Sequence, residues 1–331
     1  MLHPSLIFAG APPDNPQSDA ELSRYARYTL TPIDHDYPGK TPAMWNALYR
    51  AFGMDAAMAM VVGSPASVGD IVDSFRRDPK YAGGGSGSGF KECVLPHLDG
   101  ATPLAKAIGA VNIIRREADG RLVGDNTDGI GYAESLASAL LAVGKKLLGA
   151  QVLMLGAGGT GRAIAFALAD ASAHVHILNR TESKARELAD AVNAHFHRGI
   201  AEGGGRERIG ELLPKMDAVV SVIDDAASPL DEYSTIGDMA LPVTDASVTE
   251  NRKSAAELLA SANASLIVSD VRLRAGETAM LRQARELGFP TQDGAPMVVN
   301  QGVRAFRFVH GDEIAGRTDE EIARIMREAA S

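Results

Sequence analysis

A chain of 331 residues, 45% hydrophobic and 23% charged, has the length for two domains and the composition of an ordinary soluble globular protein. Its net charge of −9 gives a field that disfavours nucleic acid and anionic membrane, so neither is expected as a partner. A single cysteine, Cys93, excludes an internal disulfide and fits a reducing compartment; with no membrane-length apolar run and no basic signal-peptide start, a cytoplasmic location is expected.

Residues 1–28 are polar and proline-bearing up to about Ser18 and read as an extension with one short helix over 21–28. Residues 28–35 read as a first strand and turn. Thr41 then suits the N-cap of a helix and Pro42 its first position, with Met44, Leu48 and Phe52 on one face and Gly53 as the stop. A second strand over 57–62 and a second helix over 68–75 follow. The run Gly83-Gly84-Gly85-Ser86-Gly87-Ser88-Gly89 has the composition of a flexible linker. Beyond it come a strand over 110–114, a hairpin signal at Asp119-Gly120, and a polar turn, Gly124-Asp125-Asn126-Thr127-Asp128-Gly129, that opens a helix through Leu141.

From Gln151 the pattern alternates. Strands over 151–155, 174–178, 218–223 and 266–268 interleave with helices over 161–169, 182–192 and 277–287, which implies a parallel sheet with right-handed crossovers. Residues 225–247 are poorly patterned, and helices over 300–308 and 318–329 close the chain, the last with Thr318 as N-cap. The expected fold is α/β in two domains. Residues 1–127, completed by 295–331, form an α/β substrate domain with a mostly parallel sheet, and 128–294 form a Rossmann-type dinucleotide domain.

Within that second domain, the apolar run Val152-Leu153-Met154-Leu155 leads into Gly156-x-Gly158-x-x-Gly161 and then into helical spacing at Ala163, Ile164, Ala167 and Leu168. Strand, glycine turn and helix together match the dinucleotide fingerprint. Glycines let the backbone approach a pyrophosphate, and the N–H groups at the helix start hold that anion, so Gly156, Gly158, Gly159, Thr160 and Gly161 are candidate cofactor contacts. A bare packing turn uses the same residues. A site for NAD places an acid about twenty residues on. Here the second strand ends in Asn179-Arg180-Thr181, with Lys184 one turn later, a set that suits a 2′-phosphate and favours NADP over NAD. The alternative is that Arg180 and Lys184 are solvated charges.

Lys91, Asn112, Asp128 and Gln301 lie beside apolar or glycine-rich stretches; singly each suits a surface or capping position, as Asp128 suits the cap of the next helix. In combination the chain resembles the shikimate dehydrogenase family, which includes quinate/shikimate enzymes. The resemblance rests on Gly109-Ala110-Val111-Asn112, the 124–129 motif, the glycine turn and Asn179-Arg180-Thr181, in matching order and spacing. Pro32-Ile33, His35, Lys40-Thr41-Pro42-Ala43-Met44 and Asn46 resemble the family's first substrate loop, and Asn300-Gln301-Gly302 its closing motif.

The resemblance implies an NADP-dependent alcohol–ketone interconversion on shikimate or a related cyclic hydroxy acid. Lys91 falls where the family keeps its catalytic lysine and Asp128 where it keeps the partner acid, held in the cleft between the domains. Thr41, Tyr37, Asn112 and Gln301 fall at substrate-binding positions. An alcohol that loses hydride becomes a carbonyl only if its hydroxyl proton also departs, which is why such a pair is needed. No metal is expected, and the chain is expected as a monomer or homodimer. The rival readings are quinate oxidation with NAD and a non-catalytic NADP-binding regulator on a dehydrogenase fold.

Several positions depart from the family. Its Ser-x-Ser before the first helix reads Gly39-Lys40-Thr41, behind an insertion Asp36-Tyr37-Pro38 whose Tyr37 could supply a hydroxyl in compensation. Its Val-Thr-x-Pro reads Ser86-Gly87-Ser88-Gly89; an Asn-Ala-Thr-like segment reads Ser221-Val222-Ile223-Asp224-Asp225; and its Asp-Val-Val-Tyr reads Asp270-Val271-Arg272-Leu273. Each lost contact to a buried polar group costs about 1–3 kcal/mol. These losses raise the expectation of an altered substrate or weak shikimate turnover, with the Gly/Ser run enlarging the pocket or presenting N–H groups to an anion.

Overall fold

The computed structural model describes residues 2–223, 231–239, 242–272 and 276–331. Asp224, Asp225 and Leu273 therefore lie outside the described residues. Contacts divide the chain into two units, Met1–Thr127 with Val299–Ser331, and Asp128–Val298.

The first unit contains strands β1 (Ile7–Phe8), β2 (Arg27–Ile33), β3 (Ala56–Val62), β4 (Tyr81–Gly85), β5 (Gly100–Ala101), β6 (Ile113–Arg116) and β7 (Leu122–Asp125). Its helices are α1 (Asp19–Leu22), α2 (Thr41–Phe52), α3 (Val68–Arg77) and α4 (Pro103–Ile108). The strands form one sheet in the order β1-β3-β2-β4-β6-β7-β5. It is mixed rather than mostly parallel: β2 runs parallel to β3 and β4, whereas β1, β4 and β6 each make an antiparallel pairing. The helix expected over 21–28 is a single turn, α1, capped by Ser18, and the chain is already extended at Arg27. The strand expected over 110–114 starts at Ile113, because Val111 and Asn112 are engaged elsewhere.

The first three residues of the expected linker, Gly83–Gly85, belong to a strand at the centre of the sheet. β4 pairs with β2 on one side and β6 on the other. Gly83 and Gly84 hold φ of 131° and 133°, so a Cβ would point into the sheet plane. It would stand 2.3 Å from the Ile114 carbonyl oxygen at Gly83 and 2.2 Å from that of Leu30 at Gly84. Composition misleads here because these glycines serve close backbone approach, not flexibility.

The second unit contains α5 (Asp128–Ala142), β8 (Gln151–Leu155), α6 (Gly159–Asp170), β9 (His174–Asn179), α7 (Glu182–Phe196), β10 (Ala201–Gly205), α8 (Ile209–Leu212), β11 (Ala218–Ser221), α9 (Asp245–Ala260), β12 (Ile267–Asp270), α10 (Ala279–Glu286) and β13 (Thr291–Gln292). All pairings are parallel, in the order β10-β9-β8-β11-β12-β13, the doubly wound arrangement that reverses beside β8. β10 went unread in the sequence for the same reason as β4. Its Gly203 lies where a Cβ would meet the Ala185 backbone at 2.4 Å. α9 was missed because its buried stripe is narrow, Asn251, Ala255 and Leu259; its start is fixed by a capping box between Thr244 and Ser247. Last come α11 (Ala295–His310) and α12 (Asp319–Ala330). Among the described residues no helix is long and apolar enough to cross a membrane.

Within the first unit, α11 is fixed to α2 by edge-on packing of Trp45 and Phe306 and by a buried polar chain. His310 Nδ1 lies 3.3 Å from Glu313, which pairs with Arg27, and its Nε2 lies 3.0 Å from the Tyr49 hydroxyl, itself 3.0 Å from Thr29 Oγ1. A neutral His310 that donates from Nδ1 must accept at Nε2, so Tyr49 donates to His310 and Thr29 donates to Tyr49. Burial holds His310 below its ordinary 6.5, and the hydrogen bond from His310, with that from Arg27, holds Glu313 down to about 2 against an ordinary 4.5. Both depressed values mean that the unfolded chain binds more protons. Stability is therefore complete above about 6.5, falls as His310 would charge, and falls further from 4.5 towards 2. The melting temperature of the wild type is expected to drop between pH 7.5 and 5.5, and His310→Gln to flatten that limb; a scan of melting temperature against pH checks it.

Candidate active site

The motifs at 109–112 and 124–128 are one interlocked unit. Asn112 is buried and hydrogen-bonded on several sides. Its Nδ2 donates to Thr127 Oγ1 at 3.0 Å and to Gln301 Oε1 at 3.4 Å, and its Oδ1 accepts the Thr127 N–H at 2.9 Å. Its backbone N–H donates to the Asp125 carbonyl at 3.0 Å and its carbonyl accepts the Ser86 N–H at 2.8 Å. One residue earlier, the Val111 N–H donates to the Lys91 carbonyl at 2.7 Å. The dipeptide Val111-Asn112 thus grips the backbone of Lys91 on one side and that of Thr127, the neighbour of Asp128, on the other.

The remaining polar residues of the 124–128 motif are structural ties. Asp125 accepts from Thr102, whose oxygen caps α4 by accepting the Ala105 N–H, and Asn126 Nδ2 donates to the Ala110 carbonyl at 3.1 Å. Thr127, only 2% exposed, is the link that sequence reasoning left without a role; its place inside the motif was the available signal. Asp128 is the first residue of α5 and is 7% exposed, and Lys91 is half-buried in the turns after β4.

The glycine run opens no space above Gly85 or Gly87, and the amides of Ser86 and Gly87 are already used, the first by the Asn112 carbonyl. A Cβ at Gly85, Gly87 or Gly89 would meet Thr31, Ile33 or Asp34 at 2.5, 2.4 and 2.7 Å. The Gly87 N–H donates to the Pro32 carbonyl at 3.0 Å, and the Ser88 carbonyl accepts the Asp34 N–H at 3.1 Å, which extends the pairing of β2 with β4 beyond its formal end. Gly89 has φ of 76°, which proline cannot adopt. The expectation of an enlarged pocket over Gly87 is therefore corrected.

In the first substrate loop, Lys40 holds the N-cap position without a side-chain cap bond, and Thr41 is the first helical residue. The expectation that Thr41 caps α2 is corrected by one position. Its half-buried hydroxyl has no hydrogen-bond partner among the described residues. Tyr37 packs its ring 5.5 Å from that of His35 and against a small cluster of Ala9, Ile33 and Met60. Asn46 is spent on structure, bridging the N–H and carbonyl of Met58 and the Asp14 carbonyl.

In the second unit the glycines of the fingerprint separate by role. Gly156 has φ of 114°, which makes the turn. A Cβ at Gly161 would meet Val222 Cγ2 at 2.8 Å, so the helix sits close on the sheet. Gly158 is the N-cap of α6, and a Cβ there would meet nothing within 4 Å. Protein packing does not require glycine at 158, whereas a ligand approaching the amides of Gly159 and Thr160 would. Arg180, Thr181 and Lys184 are exposed after β9, and Asn179 Nδ2 donates to the Thr181 carbonyl at 3.0 Å. The nearby acid Glu182 is taken by Arg186 at 2.6 Å; among the described residues neither Arg180 nor Lys184 forms an ion pair. Where the family motif ends near Arg272, the guanidinium lies 2.8 Å from Asp270, both side chains almost fully buried. Among the described residues no group of three or more His, Cys, Asp or Glu gathers as a metal site would need.

Comparison with known proteins identifies the family. Residues 31–114 match the shikimate dehydrogenase substrate binding domain, and 136–235 match shikimate / quinate 5-dehydrogenase. A protein of Streptomyces avermitilis named shikimate dehydrogenase (NADP(+)) is 37% identical over 250 residues, 75% of this chain and 76% of its own. Shikimate dehydrogenase of Aquifex aeolicus superposes with a TM-score of 0.70 at 27% identity, covering 92% of this chain and 98% of that one. Quinate dehydrogenase of Corynebacterium glutamicum, solved with NAD, gives 0.71 at 27% identity, covering 92% and 99%. The chain is a member of the shikimate dehydrogenase family, with that family's substrate-binding domain and Rossmann-like dinucleotide-binding domain.

Proposed function

We propose that this protein is an oxidoreductase that interconverts shikimate and its 3-dehydro ketone with NADP. The observation that carries the reading is the Val111-Asn112 grip, which ties the backbones of Lys91 and Thr127 and the side chain of Gln301 into one fixed frame. A frame that fixes two chain segments at an amine and beside a carboxylate suits proton transfer, which tolerates little error in position.

When bound, NADP supplies the hydride acceptor. Gly158, Gly159, Thr160 and Gly161 would hold its pyrophosphate, and Arg180 and Lys184 its 2′-phosphate, with Asn179 and Thr181 shaping the turn beneath. The Lys91 amine takes the proton from the substrate hydroxyl during oxidation, and the ammonium returns it during reduction. Asp128 orients that amine. Asn112 and Gln301 bind ring hydroxyls, while Thr41 and Tyr37 face the remaining polar groups of the substrate from the first loop. The buried Asp270–Arg272 pair is self-neutralised and is given no part in the chemistry.

Steady-state turnover of shikimate and quinate with each cofactor tests the reading. Shikimate with NADP is expected to be the preferred pair, and a marked preference for quinate with NAD would overturn it. In Arg180→Ala the KM for NADP is expected to rise about 10–100-fold, the loss of a charge-assisted contact, with little change for NAD.

A further inference from the structure

Two features of the first unit interlock: the segment before residue 31, where the substrate-domain match begins, and Asp36-Tyr37-Pro38, which lengthens the first substrate loop. The early segment is folded onto the edge of the sheet. β1 pairs antiparallel with β3, Ile7 opposite Val62 and Phe8 opposite Val61, and the Ala9 N–H donates to the Met60 carbonyl at 3.0 Å. Asn15 then locks this strand down. It is 9% exposed, its Oδ1 accepts the Met60 N–H at 2.7 Å, and its Nδ2 donates to the carbonyls of Ala9 at 2.7 Å and Met60 at 3.1 Å.

The insertion reaches back to the same segment. Both carboxylate oxygens of Asp36 are used: Oδ2 accepts the Gly10 N–H at 2.8 Å, and both accept the Ala11 N–H at 3.2 Å. Ala9, Ile33 and Met60 form their own apolar cluster, and Tyr37 lies on it. Gly39 lies so close that a Cβ would be 2.8 Å from Met60 Sδ. Residues 36–39 therefore rest directly on Ala9, Gly10 and Ala11 of the early segment and on Met60.

We propose that residues 7–17 are a brace for the first substrate loop and that Asp36 is the positioning residue that couples the two. The inference rests on the reading that this loop, through Tyr37 and Thr41, meets the substrate. A carboxylate that accepts several backbone N–H groups fixes a loop without touching the ligand, so the consequence falls on substrate affinity and not on the chemical step.

The test uses the full chain with Asp36→Ala, Asp36→Asn and Asn15→Ala. Asp36→Ala is expected to raise the KM for shikimate about tenfold while kcat and the KM for NADP stay within about twofold. Asp36→Asn keeps one acceptor oxygen and is expected to fall between. Hydrogen exchange is read in parallel: peptides covering 8–12 and 35–41 should exchange faster in Asp36→Ala and in Asn15→Ala, while 113–116 stays protected. An unchanged KM in Asp36→Ala, or a fall in kcat equal to the rise in KM, overturns the brace. Should the wild type fail to turn over shikimate, the functional reading fails separately. The brace is then decided by exchange alone, and unaltered protection at 35–41 in Asp36→Ala overturns it.

Discussion

Lys91→Ala is expected to lower kcat for shikimate oxidation by roughly 10²–10⁴-fold, the range lost with a positioned general acid–base, while the Kd for NADP stays near the wild-type value. The backbone of Lys91 is held by Val111, so removing the amine leaves the frame standing. Asp128→Asn keeps the shape of its partner and removes the charge; it is expected to lower kcat by less than Lys91→Ala does. Combining the two should cost little more than Lys91→Ala alone, because the residues act as a unit. Steady-state kinetics with cofactor binding measured by fluorescence checks both. A Lys91→Ala enzyme with wild-type kcat would remove proton transfer from this residue.

Gly84→Ala is expected to be the most damaging single substitution for stability. Its new methyl would lie 2.2 Å from one backbone atom and 2.6 Å from another of Leu30, at a φ of 133° that side chains avoid. Neither backbone atom can swing away as a side-chain tip could. Backbone strain of about 1–3 kcal/mol adds to overpacking of about 1–3 kcal/mol, a large share of a typical folding free energy. The variant is expected to accumulate insoluble or to melt far below the wild type in a thermal scan. Gly158→Ala is the matched control, since nothing lies within 4 Å of its Cβ position. It is expected to melt within about a degree or two of the wild type yet bind NADP more weakly. A Gly84→Ala protein of wild-type stability would show that β4 is not held where it lies.

The amino-acid sequence by itself determined the alternation from Gln151 onward. β8, β9, β11 and β12 are short apolar runs and α7 and α10 each bury one stripe, so burial writes its period into those residues. The glycine turn, its context between β8 and α6, and the basic pair after β9 were legible for the same reason: they are local in sequence. So were Asn112 and the 124–128 motif as markers of family.

Tertiary structure alone decided what those motifs do mechanically. That Asn126 and Asp125 are ties, and that Thr127 is the link to Asn112, follows from contacts between segments that no local pattern records. The glycine strands show the limit most clearly. β4 and β10 have few side chains with which to express a period, so hydrophobic patterning is silent there and composition points to a linker. Their glycines answer to Leu30 and Ile114 for one strand and to Ala185 for the other, atoms that come close only once the sheets are assembled. A residue chosen for the space that other segments leave it carries no signal until those segments are in place.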